Sequence, residues 1–150
     1  MATLSIVIPV YRNEENLDAL LPALAGVAEA SPVPAEVVFV VDSSPDRSAA
    51  WLRERLPSAG FPARLVSHSR NFGSFNAIRT GLAHGTGEYF AVIAADLQEP
   101  PSLLLEFLEL LRTDRADIAF GVRARRADPW LDEIDRKSTR LNSSHVALSR

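Results

Sequence analysis

The chain has no cysteine, which excludes disulfide scaffolds and thiolate metal sites. Lysine is nearly absent as well, the only one being Lys137. Residues 1–134 carry 12 Arg and no Lys against 18 Asp and Glu, a formal −6. A body this acidic argues against general nucleic-acid binding. No apolar run approaches the roughly 20 residues needed to span a bilayer. No basic region precedes the first apolar stretch, so no signal peptide is read at the N-terminus, and a soluble, cytoplasmic chain is expected. What is present is ordinary for a globular protein: 47% hydrophobic and 23% charged residues over 150 positions. That length suits one domain burying about two-thirds of its unfolded surface.

Strand and helix patterns alternate along the chain. Leu4–Pro9, Glu36–Val41, Phe61–Ser67, Tyr89–Ala95 and Asp117–Val122 read as strands. Between them lie helical patterns: one to about Ala30 with Pro22 as a kink and Asn13 as its cap, one opened by Asp46 or Ser48, one over Ser74–His84, and one opened by Ser102. This order predicts an α/β fold, a Rossmann-like, mostly parallel sheet with helices on both faces. Tyr11, Asp42, Arg70 and Asp96 each follow a strand, so a parallel sheet gathers them along its carboxyl edge.

The stretch Tyr89–Pro101, YFAVIAADLQEPP, carries the most chemistry. Its apolar run stops at Asp96, and two prolines prevent a longer strand. Asp96 and Gln98 lie two apart, which in extended backbone puts both on one side. Such a pair suits Mg²⁺ or Mn²⁺ completed by a diphosphate. The alternative is a turn begun by Asp96 with Gln98 in solvent. For Asp42 the structural alternative is an Asx turn opening the Ser43–Asp46 loop. His68 and His84 have no carboxylate at telling spacing and receive no role, and Trp51 and Trp130 read as packing residues. No G-x-G-x-x-G follows the first strand, which argues against a dinucleotide-dependent dehydrogenase. The loop PVYRNEEN likewise lacks the glycine-rich loop of a sugar nucleotidyltransferase.

IVIPVYRNEENL, VVDSSPD, SRNFG, AADLQEPP and FGVRARR occur in the order and spacing of family 2 glycosyltransferases. The chain resembles the dolichyl- or polyprenyl-phosphate sugar synthases of that family over residues 3–128. The resemblance implies a GT-A fold and inverting transfer from a UDP- or GDP-sugar to a polyprenyl phosphate or glycan. It also implies a divalent cation, Mg²⁺ or Mn²⁺, on the diphosphate. By position it places Pro9, Tyr11, Asn13, Asp42, Arg70, Ala95 and Asp96 in the nucleotide-sugar site, and Asp96 and Gln98 at the metal. Arg123, Arg125 and Arg126 would face phosphate on the donor or acceptor. The chain departs from the family pattern at Asn13, usually Glu, at Val41, often Asp, and at Ala94, usually the first Asp of the DxD-type motif. Ala94 leaves a nucleotide-binding module without turnover as the alternative.

Residues 135–145, DRKSTRLNSSH, resemble the in-frame translation of a sequencing-library adapter. Residues 1–134 are therefore expected to form the nucleotide-sugar-binding part of a GT-A domain, and 135–150 a disordered, non-native read-through tail. The general base and acceptor half would then lie outside this chain. Membrane helices, which many members add, would dock the longer protein at the cytoplasmic face.

Overall fold

A computed structural model describes residues 2–121 and 146–149. Arg123, Arg125, Arg126, Trp130 and residues 135–145 lie outside the described residues. Six strands form one sheet: β1 (Leu4–Val10), β2 (Ala35–Val41), β3 (Ala63–Ser67), β4 (Tyr89–Val92), β5 (Ile118–Phe120) and β6 (Val146–Ser149), in the order β3-β2-β1-β4-β6-β5. The first four in that order run parallel, and β6 is antiparallel to both β4 and β5. The mostly parallel α/β sheet is therefore as the sequence predicts.

The strand at Val146–Ser149 differs from the expectation of disorder over 135–150. It covers the edge of β4, whose backbone N–H and C=O groups would otherwise lack a ladder partner on that side. The fourth strand is also shorter than expected, ending at Val92 as a ladder element, although Ile93 N–H still donates to Val7 O at 3.1 Å.

Alternation along the strands divides the core in two. Ile6, Ile8 and Val10 of β1 and Val37, Phe39 and Val41 of β2 face α1 (Glu14–Ala30), α2 (Ser48–Arg55) and α4 (Leu103–Arg112). Leu17, Leu20, Leu24, Leu52, Leu104 and Leu108 fill that side at helical spacing. Each such buried side chain contributes about 1.5–3 kcal/mol of transfer free energy. Trp51 packs against the same cluster. Helix α1 runs unbroken through Pro22, which lies within its 17 residues. Among the described residues no helix is long and apolar enough to cross a membrane.

Among the described residues the other face takes α3 (Ser74–His84) alone, with Val38, Val40 and Ala77 in its core. Small residues bring α3 close: a Cβ at Gly81 would overlap Val7 Cγ1. At the amino edge of the sheet, buried Ser5 donates to Glu36 Oε1 at 2.7 Å and accepts from Gly87 N–H at 2.8 Å. The same Glu36 oxygen accepts Thr86 N–H at 2.6 Å and its hydroxyl at 2.8 Å, anchoring the turn between α3 and β4.

Gly81→Ala is expected to destabilise the fold by about 1–3 kcal/mol, because a methyl group there overpacks a fully buried strand. Urea unfolding checks this, and adding Val7→Ala should recover part of the loss through the shared contact.

Candidate functional site

The chain steps outward from β1 to β2 to β3, then returns to place β4 on the other side of β1. Beyond the carboxyl ends of β1, β2 and β4, at this reversal, lies a cleft of about 300 Å³. Its walls are Pro9, Val10, Tyr11 and Asn13 after β1, Asp42 after β2, Asn71, Gly73, Ser74 and Ala77 at the start of α3, and Ala94, Ala95 and Asp96 after β4. Of the residues expected at a nucleotide-sugar site, Pro9, Tyr11, Asn13, Asp42, Ala95 and Asp96 are brought together. Arg70 is not among the lining residues; its guanidinium lies 4.7 Å from the centre of the Phe72 ring.

Gln98 is the clearest departure from expectation. It is exposed and does not line the cleft, whereas Asp96 does. Leu97 between them has φ 54, and Gln98 N–H donates to Asp96 Oδ1 at 3.2 Å. The segment is thus a turn, so the extended alternation that would set the two side chains together does not apply.

Asp42 is the most tightly held group in the cleft. It has the parity of Val38 and Val40, so its carboxylate points to the α3 side of the sheet. There Oδ1 accepts Phe72 N–H at 2.9 Å and faces His68 Nδ1 at 2.7 Å, while Oδ2 accepts Gly73 N–H at 2.7 Å. His68 Nε2 stands 2.9 Å from Thr80 Oγ1. The carboxylate therefore does not open an Asx turn; it closes the loop between β3 and α3. Burial pushes its pKa up, but the Phe72 N–H, the His68 ring and the Gly73 N–H outweigh that and hold it below the ordinary carboxylate value. Gly73 has φ 89, a conformation that glycine adopts without the strain a side chain would bring.

Asn13 sits at the cap position of α1 but does not cap it; its Oδ1 accepts Tyr11 N–H at 2.9 Å. The cap comes from another loop. Asp46 Oδ2 accepts Glu14 N–H at 3.1 Å, and Glu14 Oε2 accepts Arg47 N–H at 2.9 Å, so the first residue of α1 and the residues just before α2 exchange hydrogen bonds. Asp46 also accepts the Ser44 and Ser48 hydroxyls and Ser48 N–H, and Ser44 Oγ accepts Arg12 N–H at 2.8 Å. Burial raises the Asp46 carboxyl, yet these bonds bring it below its ordinary value. Arg12, Ser43 and Leu97 have φ of 56, 52 and 54. Each directly follows a lining residue or its strand end: Tyr11, Asp42 and Asp96.

Sequence reasoning missed His68 as the partner of Asp42, and Val10, Asn71 and Ala77 as wall residues. The parallel register pairs Val41 with Ser67, which sets His68 beside Asp42. No spacing rule within the sequence shows that neighbourhood.

Glu36, Asp42 and Asp46 all have folded pKa values below their ordinary ones. The stability they contribute is complete above the ordinary carboxylate range and is lost as pH falls through the lower folded values. Asp42→Asn should flatten that acid slope and lower stability by about 1–3 kcal/mol at neutral pH, since an amide cannot accept all three bonds. Urea midpoints measured from pH 7 down to about pH 3 check both effects.

The model for the family described as Glycosyl transferase family 2 matches residues 5–146. A protein of Mycobacterium tuberculosis described as a putative glycosyltransferase is 38% identical over 128 residues, covering 85% of this chain and 37% of its own length. The undecaprenyl-phosphate 4-deoxy-4-formamido-L-arabinose transferase of Sodalis glossinidius is 36% identical over 126 residues, covering 84% of this chain and 38% of its own. The chain thus spans under two-fifths of the length of these two relatives. Among solved structures, a mannosyltransferase from Pyrobaculum calidifontis in complex with GDP-Man and Mn²⁺ superposes with a TM-score of 0.76 at 20% identity, over 98% of this chain and 44% of that one. The fold is that of the GT-A glycosyltransferases, and the chain belongs to glycosyl transferase family 2.

Proposed function

We propose that the complete protein transfers a sugar from a UDP- or GDP-sugar to a polyprenyl phosphate or a glycan, with inversion and with Mg²⁺ or Mn²⁺ on the diphosphate. The observation that carries this reading is the cleft at the sheet's reversal point, with Asp42 and Asp96 on walls supplied by different strands. The Sodalis relative's name, with its undecaprenyl phosphate, supports a lipid-phosphate acceptor, and the GDP-Man and Mn²⁺ in the Pyrobaculum structure support the donor class and the cation.

Each wall has a task. Tyr11, 41% exposed at the rim with Arg12 5.4 Å from its ring centre, offers an aromatic face to the base. Asp42 accepts a hydrogen bond from the base. The start of α3, where Ser74 lines the cleft, has first-turn N–H groups without an intrahelical acceptor, a favourable place for negative charge.

The cation is tested against the donor set actually present. Among the described residues no group of three His, Cys, Asp or Glu could hold a metal. Asp96 remains in the cleft with Oδ1 engaged by Gln98 N–H. One carboxylate with a diphosphate and water fits a hard divalent ion bound together with its substrate. Bound there, such an ion would stabilise charge on the departing diphosphate. The acceptor oxygen would attack the anomeric carbon from the opposite side. No residue among those described is assigned as general base.

Ala94 favours a second reading, binding without turnover. Sugar transfer by the full-length protein would dismiss it. For this chain, Asp96→Ala should remove the Mn²⁺-dependent part of UDP or GDP affinity while leaving the melting temperature nearly unchanged, because the side chain lies past the end of β4. Calorimetric titration with and without Mn²⁺ decides the matter: unchanged affinity in the variant would sink the metal assignment.

A further inference from the structure

We propose that the α3 side of the sheet docks on an anionic lipid surface. Phe72 and Phe75 lie at the lipid interface in this arrangement, with Arg70 and Arg79 against the headgroups. Its purpose, bringing the cleft to a lipid-phosphate acceptor, rests on the function proposed above.

Charge is segregated across the sheet. From Arg55 to Gly87 the sequence has no Asp or Glu but four arginines, Arg55, Arg64, Arg70 and Arg79. The last three belong to β3, the loop after it and α3. Arg64 has the parity of Val66, so all three lie on the side that α3 covers. Glu36 and Asp42 face the same side from β2 and its end, and both are engaged. Glu36 stands 3.3 Å from Arg64 Nε, and Asp42 is buried against His68, Phe72 and Gly73. On the other side α1, α2 and α4 carry seven Asp and Glu against three Arg. A flat anionic surface meeting the α3 side has the sheet and a helix about 10 Å across between itself and those carboxylates. That separation exceeds the Debye length of about 8 Å at physiological salt, so their repulsion is screened.

The same side supplies apolar surface. Phe75 is 87% exposed and Phe72 42%. Phe75, Arg79 and Ala83 are exposed and recur four apart, which puts them on one side of α3. The Arg70 guanidinium lies 4.7 Å from the centre of the Phe72 ring. Beside them is a groove of about 390 Å³ with Phe72, Asn76, Arg79 and His84 on its walls. Exposed rings interleaved with arginines suit the lipid–water boundary, where apolar side chains enter the headgroup layer and cations meet phosphate. Gly73 and Ser74, between the two rings, line the cleft. Docking by Phe72 and Phe75 therefore sets the cleft mouth at headgroup level.

Co-sedimentation of the whole 150-residue chain with vesicles tests the proposal. One set is phosphatidylcholine alone and the other a mixture with phosphatidylglycerol, both free of polyprenyl phosphate. Binding should be severalfold stronger to the anionic vesicles and should weaken with added salt. Phe75→Ser should lower it severalfold and Arg79→Glu about fivefold or more. Arg53→Glu, exposed on α2, should leave it unchanged, and thermal melts verify that all three variants fold. Equal binding to both vesicle types, or binding to neither, overturns the proposal. Binding to anionic vesicles that Phe75→Ser and Arg79→Glu leave intact overturns the assignment to this face. Light scattering over a range of protein concentrations adds one more outcome. Self-association that Phe75→Ser abolishes makes a second copy of the chain the occupant and overturns the lipid surface. Because the vesicles hold no acceptor, failure here leaves the function proposed above to be judged separately, by sugar transfer to a polyprenyl phosphate.

Discussion

The carboxylate of Asp42 is the contact on which the rest of the cleft depends. It directly follows β2, yet all three of its protein partners come from the segment between β3 and α3. Two are backbone N–H groups just before the first turn of α3, where negative charge is favoured by the local dipoles. One buried charge thereby fixes the approach of a helix to a sheet edge, and the close contact of Gly81 with Val7 continues that seating two turns later. Because the partners are directional, Asp42 is oriented as well as held, and orientation is what a recognition site requires.

A second carboxylate, Asp46, does similar work between the starts of α1 and α2. Asp46 and Glu14 join the loop after β1 to the loop after β2 through exchanged backbone hydrogen bonds. The loops that supply Tyr11 and Asp42 are therefore tied to one another, not only to their own strands. The corner of the cleft made by β1, β2 and α3 is thus cross-linked by hydrogen bonds between its loops. Its β4 wall is built differently, with Asp96 in a turn stabilised by its own Gln98 N–H.

Much of this was legible from the sequence. The buried runs at Leu4–Pro9 and Glu36–Val41 and the helix at Ser74–His84 are strong local patterns, and the structure forms them within a residue or so. That Tyr11, Asp42 and Asp96 share one edge follows from parallel strands alone. The errors arose where local rules compete with tertiary contacts. Asn13 has the chemistry of a helix cap but satisfies Tyr11 N–H, because Asp46 from another loop caps Glu14. Gln98 was placed beside Asp96 by assuming extended backbone, and the left-handed Leu97 breaks that assumption. His68 became visible only through the register of β2 with β3. The strand at Val146–Ser149 depends on an unpaired edge that no local pattern reveals.

The three left-handed residues beside the cleft, Arg12, Ser43 and Leu97, bear on which substitutions this surface can accept. Arg12 and Ser43 are exposed, and exposed loop positions are ordinarily the freest in a protein to change. Here the backbone denies that freedom. Valine, isoleucine and threonine are disfavoured at positions 12, 43 and 97 by their branching at Cβ, whatever their polarity. Glycine and asparagine are the residues such a backbone accepts most readily. Variation around the cleft is thus filtered by shape before it is filtered by chemistry, and a position can be invariant in character without touching any ligand.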